Sequence, residues 1–238
     1  MSTYLFPTAT EGKRKSASAM MFQAWGKGGG EHKTFLNRLF GEHVQDDYMK
    51  YGERIHSIAA GHILPDTEVE KVFREKYNTL CYNLHCHKRE AWLRHEFVLP
   101  DGRKVGSTNK LDAVSADYST IIELKTSRLE DATAAFETGE QREERIQEKV
   151  KQSMIQLTVY AAILQYEYRI TPEHIVLVTV DTFPGEDMKP TLWSGEIRAT
   201  KVQLPENLAY EYEKLRNKLP DMIECAENHY KELQQQTL

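Results

Sequence analysis

The sequence predicts an α/β domain in which a central mixed β-sheet is flanked by helices, with a helical part before the sheet. Helical and strand-like patterns follow one another as helices, three strands, a long helix, two strands and a terminal helix. The length of 238 residues suits one sizeable domain, and 40% hydrophobic with 28% charged residues is typical of a globular protein. We expect residues 1–30, which end in GKGGG, to be a flexible lead-in and residues 31–238 to be a single domain.

The helical part begins the predicted domain. Helical periodicity runs from about His32 to His62. The turn Pro65-Asp66-Thr67, with Glu70 as a capping residue, introduces a second helix that ends near Asn83.

Strand-like patterns then alternate with two further helices. The predicted strands are Ala91–Leu99, Lys104–Val114, Ser119–Thr126, His174–Thr182 and Leu192–Val202. Pro100-Asp101-Gly102 predicts a hairpin turn, and Ala116-Asp117-Tyr118 the next connection. The predicted helices run from about Glu143 to Tyr166, with Val150, Met154, Leu157, Ala161 and Leu164 on one face, and from Asn207 to about Gln234.

Charge and composition limit the partners. The formal net charge is −5, so a nucleic-acid partner requires bound cations or an uneven charge distribution. No apolar run approaches the roughly 20 residues that span a bilayer, and the start lacks the apolar core of a secretory signal. Cys81, Cys86 and Cys225 have no repeated pair spacing and predict free thiols in a reducing, intracellular compartment. The sequence does not distinguish the cytoplasm, the nucleus and the mitochondrion, and it does not indicate an oligomeric state. No membrane partner is expected.

Three charged residues on two neighbouring predicted strands carry the chemistry. Glu123 and Lys125 are two residues apart on one strand and therefore face the same side, and a hairpin-like connection can bring Asp112 alongside them. Two adjacent carboxylates favour a hard cation with oxygen ligands, and the backbone carbonyl of Leu124 could add another oxygen. Lys125 could then position an attacking water and stabilise charge on a phosphoryl group. The alternative is a surface ion pair on an amphipathic strand.

Three sequence elements together resemble one enzyme family. IIELKTS resembles the core signature of the PD-(D/E)xK nuclease superfamily, in which an apolar strand delivers acid-x-Lys. Upstream, Gly52 and His56 in YGERIHSIA resemble the Gly-x-x-x-His helix of its RecB-like exonuclease branch. Downstream, Gln156 and Tyr160 in QLTVYAAIL resemble the Gln-x-x-x-Tyr helix of that branch. The resemblance covers about residues 51–164, and Gly106 is farther from Asp112 than the usual glycine is from the aspartate.

The resemblance implies a restriction-endonuclease-like core and one or two Mg²⁺ or Mn²⁺ ions. His56, Asp112, Glu123 and the carbonyl of Leu124 are the implied ligands, and an imidazole ligand biases a site toward manganese. The four-cysteine cluster of the iron–sulfur nucleases of this superfamily is missing, so no such cluster is expected.

The resemblance adds two residues to the predicted catalytic set of Asp112, Glu123 and Lys125. Gln156 and Tyr160 are four residues apart, so they share a helix face. Their implied role is to contact a water, the catalytic lysine or the nucleic-acid strand.

Several further side chains are secondary predictions. Lys104, Lys110 and Arg128 flank the motif strands and could contact the phosphodiester backbone. Glu96 could be an accessory carboxylate and Glu53 a partner of His56, whereas Asp117 is a weaker alternative to Asp112 because it lies in a predicted turn. Cys81, His85, Cys86 and His87 match no common zinc spacing and indicate a helix end with incidental thiols.

The resemblance implies a metal-dependent deoxyribonuclease, specifically an exonuclease on single-stranded or end-containing DNA. The charged stretch from Arg128 to Arg145 could form an arch over the site. One alternative is an RNA endonuclease of the cap-snatching type, and another is a catalytically silent, nuclease-like binding scaffold.

Overall fold

The computed structural model describes residues 47–129, 139–185 and 188–236. The predicted lead-in, the domain boundary at residue 31 and residues 130–138 of the predicted arch lie outside these ranges. The elements, in chain order, are α1 (Asp47–Ala60), α2 (Glu68–Asn83), β1 (Lys88–Val98), β2 (Lys104–Val114), β3 (Thr120–Arg128), α3 (Gly139–Tyr168), β4 (His174–Pro184), β5 (Pro190–Val202) and α4 (Leu208–Gln236).

The five strands form one mixed sheet in the order β1-β2-β3-β4-β5. Strand β2 pairs antiparallel with both β1 and β3. Strands β3 and β4 are parallel, and β5 is antiparallel to β4. Parallel neighbours need a long crossover, which α3 supplies between β3 and β4. The prediction of a mixed sheet flanked by helices, with a helical part before it, is confirmed.

Each face of the sheet carries a hydrophobic core formed with a different pair of helices. On one face, α3 and α4 pack against β-strand residues such as Leu111, Ile121 and Leu177. On the other, α1 and α2 pack against residues such as Ile122 and Leu124. Neighbouring residues of β3 thus enter opposite cores, as the period of two in a strand requires. None of the helices in the described ranges combines the length and the apolar character needed to span a bilayer.

The local signals in the sequence have the expected effect. Thr67 caps α2 by accepting from the amide of Glu70, whose side chain returns to the Thr67 amide as in a capping box. At the predicted hairpin turn, Gly102 adopts a positive φ of 83°, and its amide donates to the Leu99 carbonyl over 3.0 Å.

A partly buried ion pair joins α1 to α2. Arg54 donates two hydrogen bonds of 2.8 Å to the carboxylate of Glu70, which is only 2% exposed. The hydroxyl of Tyr51 donates to Glu70 over 3.2 Å and accepts from the Leu192 amide of β5 over 3.2 Å. This network fixes α1, which carries His56, against α2 and β5.

We expect Glu70→Ala to lower the free energy of unfolding at neutral pH by about 1.5–3 kcal/mol, because it removes two charge-assisted hydrogen bonds and leaves Arg54 with the exposed Asp66 as its ion-pair partner. Burial alone would raise the pKa of Glu70, but Arg54 and the Asp66 and Thr67 amides outweigh burial and lower it. Stability from a carboxylate with a lowered pKa is present above its unfolded pKa and is lost as the pH falls through its folded pKa. The deficit of the variant should therefore shrink below about pH 4.3.

Urea denaturation followed by circular dichroism measures this difference. Glu68→Ala is the matched control, because the Glu68 side chain is 85% exposed in its pair with Lys71 and should cost less than about 1 kcal/mol. Equal stability of the two variants would contradict the proposed role of Glu70.

Candidate active site

The site lies where β2 and β3 separate. Strand β2 pairs with β1 from Lys104 to Leu111 and again at Ala113 and Val114, but it pairs with β3 only through Ala113 and Val114 opposite Ile122 and Ile121. Asp112 and Glu123 are the next residues along the two strands, at the point where the pairing stops. The sheet therefore opens into a gap with a carboxylate on each side.

Asp112 occupies the gap in place of a backbone acceptor. Its Oδ2 accepts a hydrogen bond of 2.7 Å from the amide of Leu124 on β3, and its Oδ1 lies 2.8 Å from Nδ1 of His56. Burial raises the pKa of Asp112, but His56, Lys125 and the Leu124 amide more than offset it, and the net pKa is lowered. Asp112 is therefore ionised at neutral pH.

His56 reaches Asp112 because α1 packs very close to β3. One turn before His56, a Cβ added to Gly52 would lie 3.1 Å from Oγ1 of Thr126. Only a glycine lets the helix approach this closely without displacing Thr126. Burial lowers the pKa of His56, but the Asp112 carboxylate outweighs burial and leaves the pKa above its ordinary value.

Glu123 and Lys125 face the layer of α3 and α4, on the side of β3 opposite to Leu124, as the strand period predicts. Lys125 Nζ donates to Oε1 of Glu123 over 2.6 Å. The Glu123 side chain is 3% exposed, and its Oε2 is buried with no hydrogen-bond partner among the described residues. Burial raises the pKa of Glu123 more than Lys125 lowers it. For Lys125, burial lowers the pKa, but Glu123 and Asp112 raise it further, so the ammonium stays charged.

Helix α3 contributes Gln156 and Tyr160 from that same layer. Lys125 Nζ donates to Oε1 of Gln156 over 3.1 Å, and the Gln156 amide donates to the hydroxyl of Tyr160. Tyr160 is 1% exposed, and burial together with nearby Glu123 raises its pKa well above 10.0. Neutral Tyr160 thus holds Gln156, and Gln156 holds Lys125.

The structure brings together all six of the predicted site side chains, but not as a completed metal cage. In the described part of the chain, no three His, Cys, Asp or Glu side chains are already arranged to hold an ion. His56 is engaged by Asp112, and Glu123 by Lys125. The donor set nonetheless fits a divalent ion, because the unpaired buried Oε2 of Glu123 is costly unless a cation or a hydrogen-bond donor reaches it.

The backbone of Leu124 lies suitably for its predicted role. The amide and the carbonyl of one strand residue point to the same edge of the strand. Since the Leu124 amide points to Asp112, its carbonyl also points to the side where pairing with β2 has ended. Its contribution to a metal site stays a prediction.

The secondary predictions are distributed unevenly around the gap. Lys110 lies two residues from Asp112 on β2, where its Nζ donates to Glu90 over 2.6 Å. Arg128 stacks over the Tyr48 ring at 4.1 Å, near the start of α1. Lys104 is eight residues from Asp112, or about 27 Å along an extended strand, which is too far to flank the site.

Three acidic residues that could have competed with the main set have other positions. Asp117 closes the β2–β3 turn through hydrogen bonds of 2.6 Å from Ser115 Oγ and 3.0 Å from the Ser119 amide, which lower its pKa to about 2. Glu96 accepts from Lys104 over 2.8 Å at the hairpin end of the sheet. Glu53 lies on the exposed side of α1.

The cysteine and histidine cluster forms the end of α2, as the sequence indicates. Cys81 and Cys86 are buried free thiols, and the Cys86 amide donates to the Cys81 carbonyl over 2.8 Å. The rings of His85 and His87 meet edge to face at 6.3 Å. Cys225 lies in α4, and the environment of its side chain lies outside what the structure describes.

Sequence reasoning did not predict the contact of Gly52 with Thr126 or the ion pair of Arg54 with Glu70. Thr126 forms the surface that Gly52 touches, and the ion pair anchors the helix of His56. The threonine directly after the acid-x-Lys motif and the glycine four residues before the histidine were the available signals for the first contact. The second depends on how α1 meets α2, which no local pattern predicts.

Comparison with known proteins gives limited help. No family model matches the chain, and no curated protein matches it. Among solved structures, the chain is similar to a proposed exonuclease from Eubacterium rectale, with 12% identity and a TM-score of 0.49 over 94% of this chain and 88% of that one. It is also similar to a phage-related exonuclease from Haemophilus somnus, with 16% identity and a TM-score of 0.47 over 95% and 97% of the two chains. Identities and TM-scores this low do not identify the activity of the chain.

We expect Gly52→Val to destabilise the protein by about 1–3 kcal/mol, because the new side chain must displace Thr126 or lift α1 from the sheet. Lys50→Val, on the exposed face of the same helix, is the matched control for the low helix propensity of valine. The double variant Gly52→Val/Thr126→Ala should recover part of the loss, as measured by urea denaturation. Equal losses in Gly52→Val and Lys50→Val would mean that the close approach of α1 contributes nothing.

Proposed function

We propose that this protein is a metal-dependent nuclease that hydrolyses phosphodiester bonds of DNA, of the RecB-like PD-(D/E)xK type. The observation that carries the proposal is the gap between β2 and β3. It holds an ionised Asp112, a buried Glu123 with an unpaired oxygen and a charged Lys125 between the two helical layers. A buried group of this kind is more than a surface ion pair, which is the simplest alternative for an acid-x-Lys strand.

Asp112, Glu123 and the Leu124 carbonyl would hold one or two Mg²⁺ or Mn²⁺ ions, with His56 as a further ligand. When bound, such an ion supplies Lewis acidity at the phosphoryl oxygens and lowers the pKa of water. His56 and Asp112 would exchange their mutual contact for the ion, and neutral imidazole would be the binding form of His56.

Lys125 has the position and charge to act on the water and the phosphate. Its ammonium is held by Glu123 and Gln156, so its direction is fixed before substrate arrives. A raised pKa makes Lys125 a poor general base and a good electrostatic group. We therefore assign it to orienting the attacking water and stabilising charge on the phosphoryl group, with Gln156 as its positioning residue and Tyr160 behind it.

We further propose a preference for single-stranded or end-containing DNA and an exonuclease mode. Both rest on the sequence resemblance to the RecB-like branch. The contact between Gln156 and Lys125 favours this branch over an RNA endonuclease of the cap-snatching type, because that helix residue has a defined partner here.

We expect manganese-dependent digestion of labelled DNA by the wild type, and a loss of at least about 10²-fold in rate for Lys125→Ala, since a preorganised charge at the phosphate is lost. Glu123→Gln should lose activity with nearly the same side-chain volume. Lys71→Ala, which removes a half-exposed lysine of α2, is the matched control. Exonuclease and endonuclease action are distinguished by comparing linear with circular single-stranded DNA. Substrate preference is measured with single-stranded DNA, double-stranded DNA and RNA. A wild type that digests none of these substrates would support a binding scaffold instead, whereas full activity of Lys125→Ala and Glu123→Gln would mean that cleavage does not depend on the gap.

His56 should determine the choice of metal. Because an imidazole ligand favours manganese over magnesium, His56→Ala should weaken Mn²⁺ binding more than Mg²⁺ binding in isothermal titration calorimetry. His62→Ala, two residues after the same helix, is the control: its ring lies 2.7 Å from Glu90. If His56→Ala left Mn²⁺ affinity unchanged, His56 would be a partner of Asp112 and not a ligand.

A further inference from the structure

One half of the sheet has an exposed face beside the candidate active site. Along β1, Leu93 and Phe97 are buried against α3 and α4, whereas the alternate residues point the other way. On that side α1 and α2 pack mainly on β3 and β5. Within the described ranges the face of the β1–β2 hairpin is therefore open, and it carries Trp92 at 57% exposure.

A large exposed aromatic side chain on a sheet face offers a flat apolar surface on which a planar ligand can stack. Trp92 lies directly opposite Lys110 in the β1–β2 pairing. The Lys110 ammonium is 6.0 Å from the centre of the indole ring. An exposed aromatic ring beside a cation is suited to a nucleotide, whose base is flat and whose phosphate is negative.

This pair is continuous with the proposed catalytic gap. Lys110 and Asp112 are two residues apart on β2, about 7 Å along an extended strand. Glu90 links the two regions, because it accepts from Lys110 over 2.6 Å and lies 2.7 Å from His62, which follows α1. The Lys110 side chain is 40% exposed in this pair, so an incoming phosphate can compete for it at little cost.

We infer that Trp92 stacks on an unpaired base of the substrate strand while Lys110 contacts a phosphate of that strand next to the scissile one. The inference rests on the proposed nuclease function. It adds a residue, Trp92, that selects single-stranded or terminal over double-stranded substrate. In a duplex, the faces of each base are covered by its neighbours, so a flat side chain can stack only on an unpaired, flipped or terminal base. Trp92 would therefore favour single strands and ends.

On this face Glu90 pairs with Lys110 and Glu96 pairs with Lys104, and Arg94 adds a further positive charge. Arg94 follows Trp92 on the same exposed side of β1, and Lys104 lies farther along the same face of β2. Lys104 is too distant to act at the gap, but a strand that leaves Trp92 along the hairpin would pass it. This gives Lys104 a place in the substrate path that differs from the role expected from its sequence position.

Binding to oligothymidine tests the inference without cleavage when it is measured in a Glu123→Gln background. Fluorescence anisotropy should detect a loss of about 5- to 100-fold in affinity for Trp92→Ala, and little loss for Trp92→Phe, which keeps a ring. Trp92→Ala and the parent protein should bind an abasic strand of equal length with the same affinity. Tyr82→Ala, which removes an aromatic side chain of 73% exposure from α2, should change neither affinity.

Salt dependence separates the two residues of the pair. Trp92→Ala should leave the slope of log affinity against log salt unchanged, because indole releases no counterions, whereas Lys110→Gln should reduce the slope by about one. Equal affinities for Trp92→Ala and the parent, an equal loss on the abasic strand, or no binding of oligothymidine by the parent would each overturn the inference. Hydrolysis by the wild type is measured separately, so failure of the nuclease function and failure of base stacking are distinguishable.

Discussion

The early end of pairing between β2 and β3 is the constraint on which the candidate site depends. Beyond Ile122, the Leu124 amide has lost its backbone acceptor, and an unpaired amide inside the protein is costly. The carboxylate of Asp112 takes that hydrogen bond, so a single interaction both satisfies the strand and fixes an anion in the gap. A sheet that stayed paired to the end of β3 would place backbone in this position and leave no room for a ligand.

Two buried carboxylates so close together require positive charge, and the surrounding elements supply it from opposite sides. Helix α1 delivers His56 to Asp112 from one layer, and β3 delivers Lys125 to Glu123 facing the other. The compensation is incomplete, because one oxygen of Glu123 lacks a partner within the described ranges and the pKa of Glu123 is raised. Such a site is prepared for a further cation. The stability of the protein comes from other contacts, such as the ion pair of Arg54 and Glu70.

The sequence predicted most of the fold because its signals are local. Thr67 and Glu70 mark the start of α2, Gly102 marks the hairpin, and the period of two separates Leu124 from Glu123 and Lys125. It also predicted which side chains meet, although only through resemblance for His56, Gln156 and Tyr160, since residues on separate helices have no local signal of contact. What it could not predict depends on tertiary arrangement: the separation of β2 and β3, the distance of Lys104 from the gap, and the exposure of Trp92. Each of these depends on which part of the sheet α1 and α2 cover.

The central claim is that the gap between β2 and β3 holds a divalent ion. A crystal structure with manganese, using anomalous scattering to locate the ion, tests it most directly. The account predicts a manganese peak about 2.1 Å from carboxylate oxygens of both Asp112 and Glu123, with the Leu124 carbonyl as a further ligand. A fully ordered gap in which Asp112 keeps its contact with His56, Glu123 keeps Lys125 and no manganese peak lies between them would contradict it.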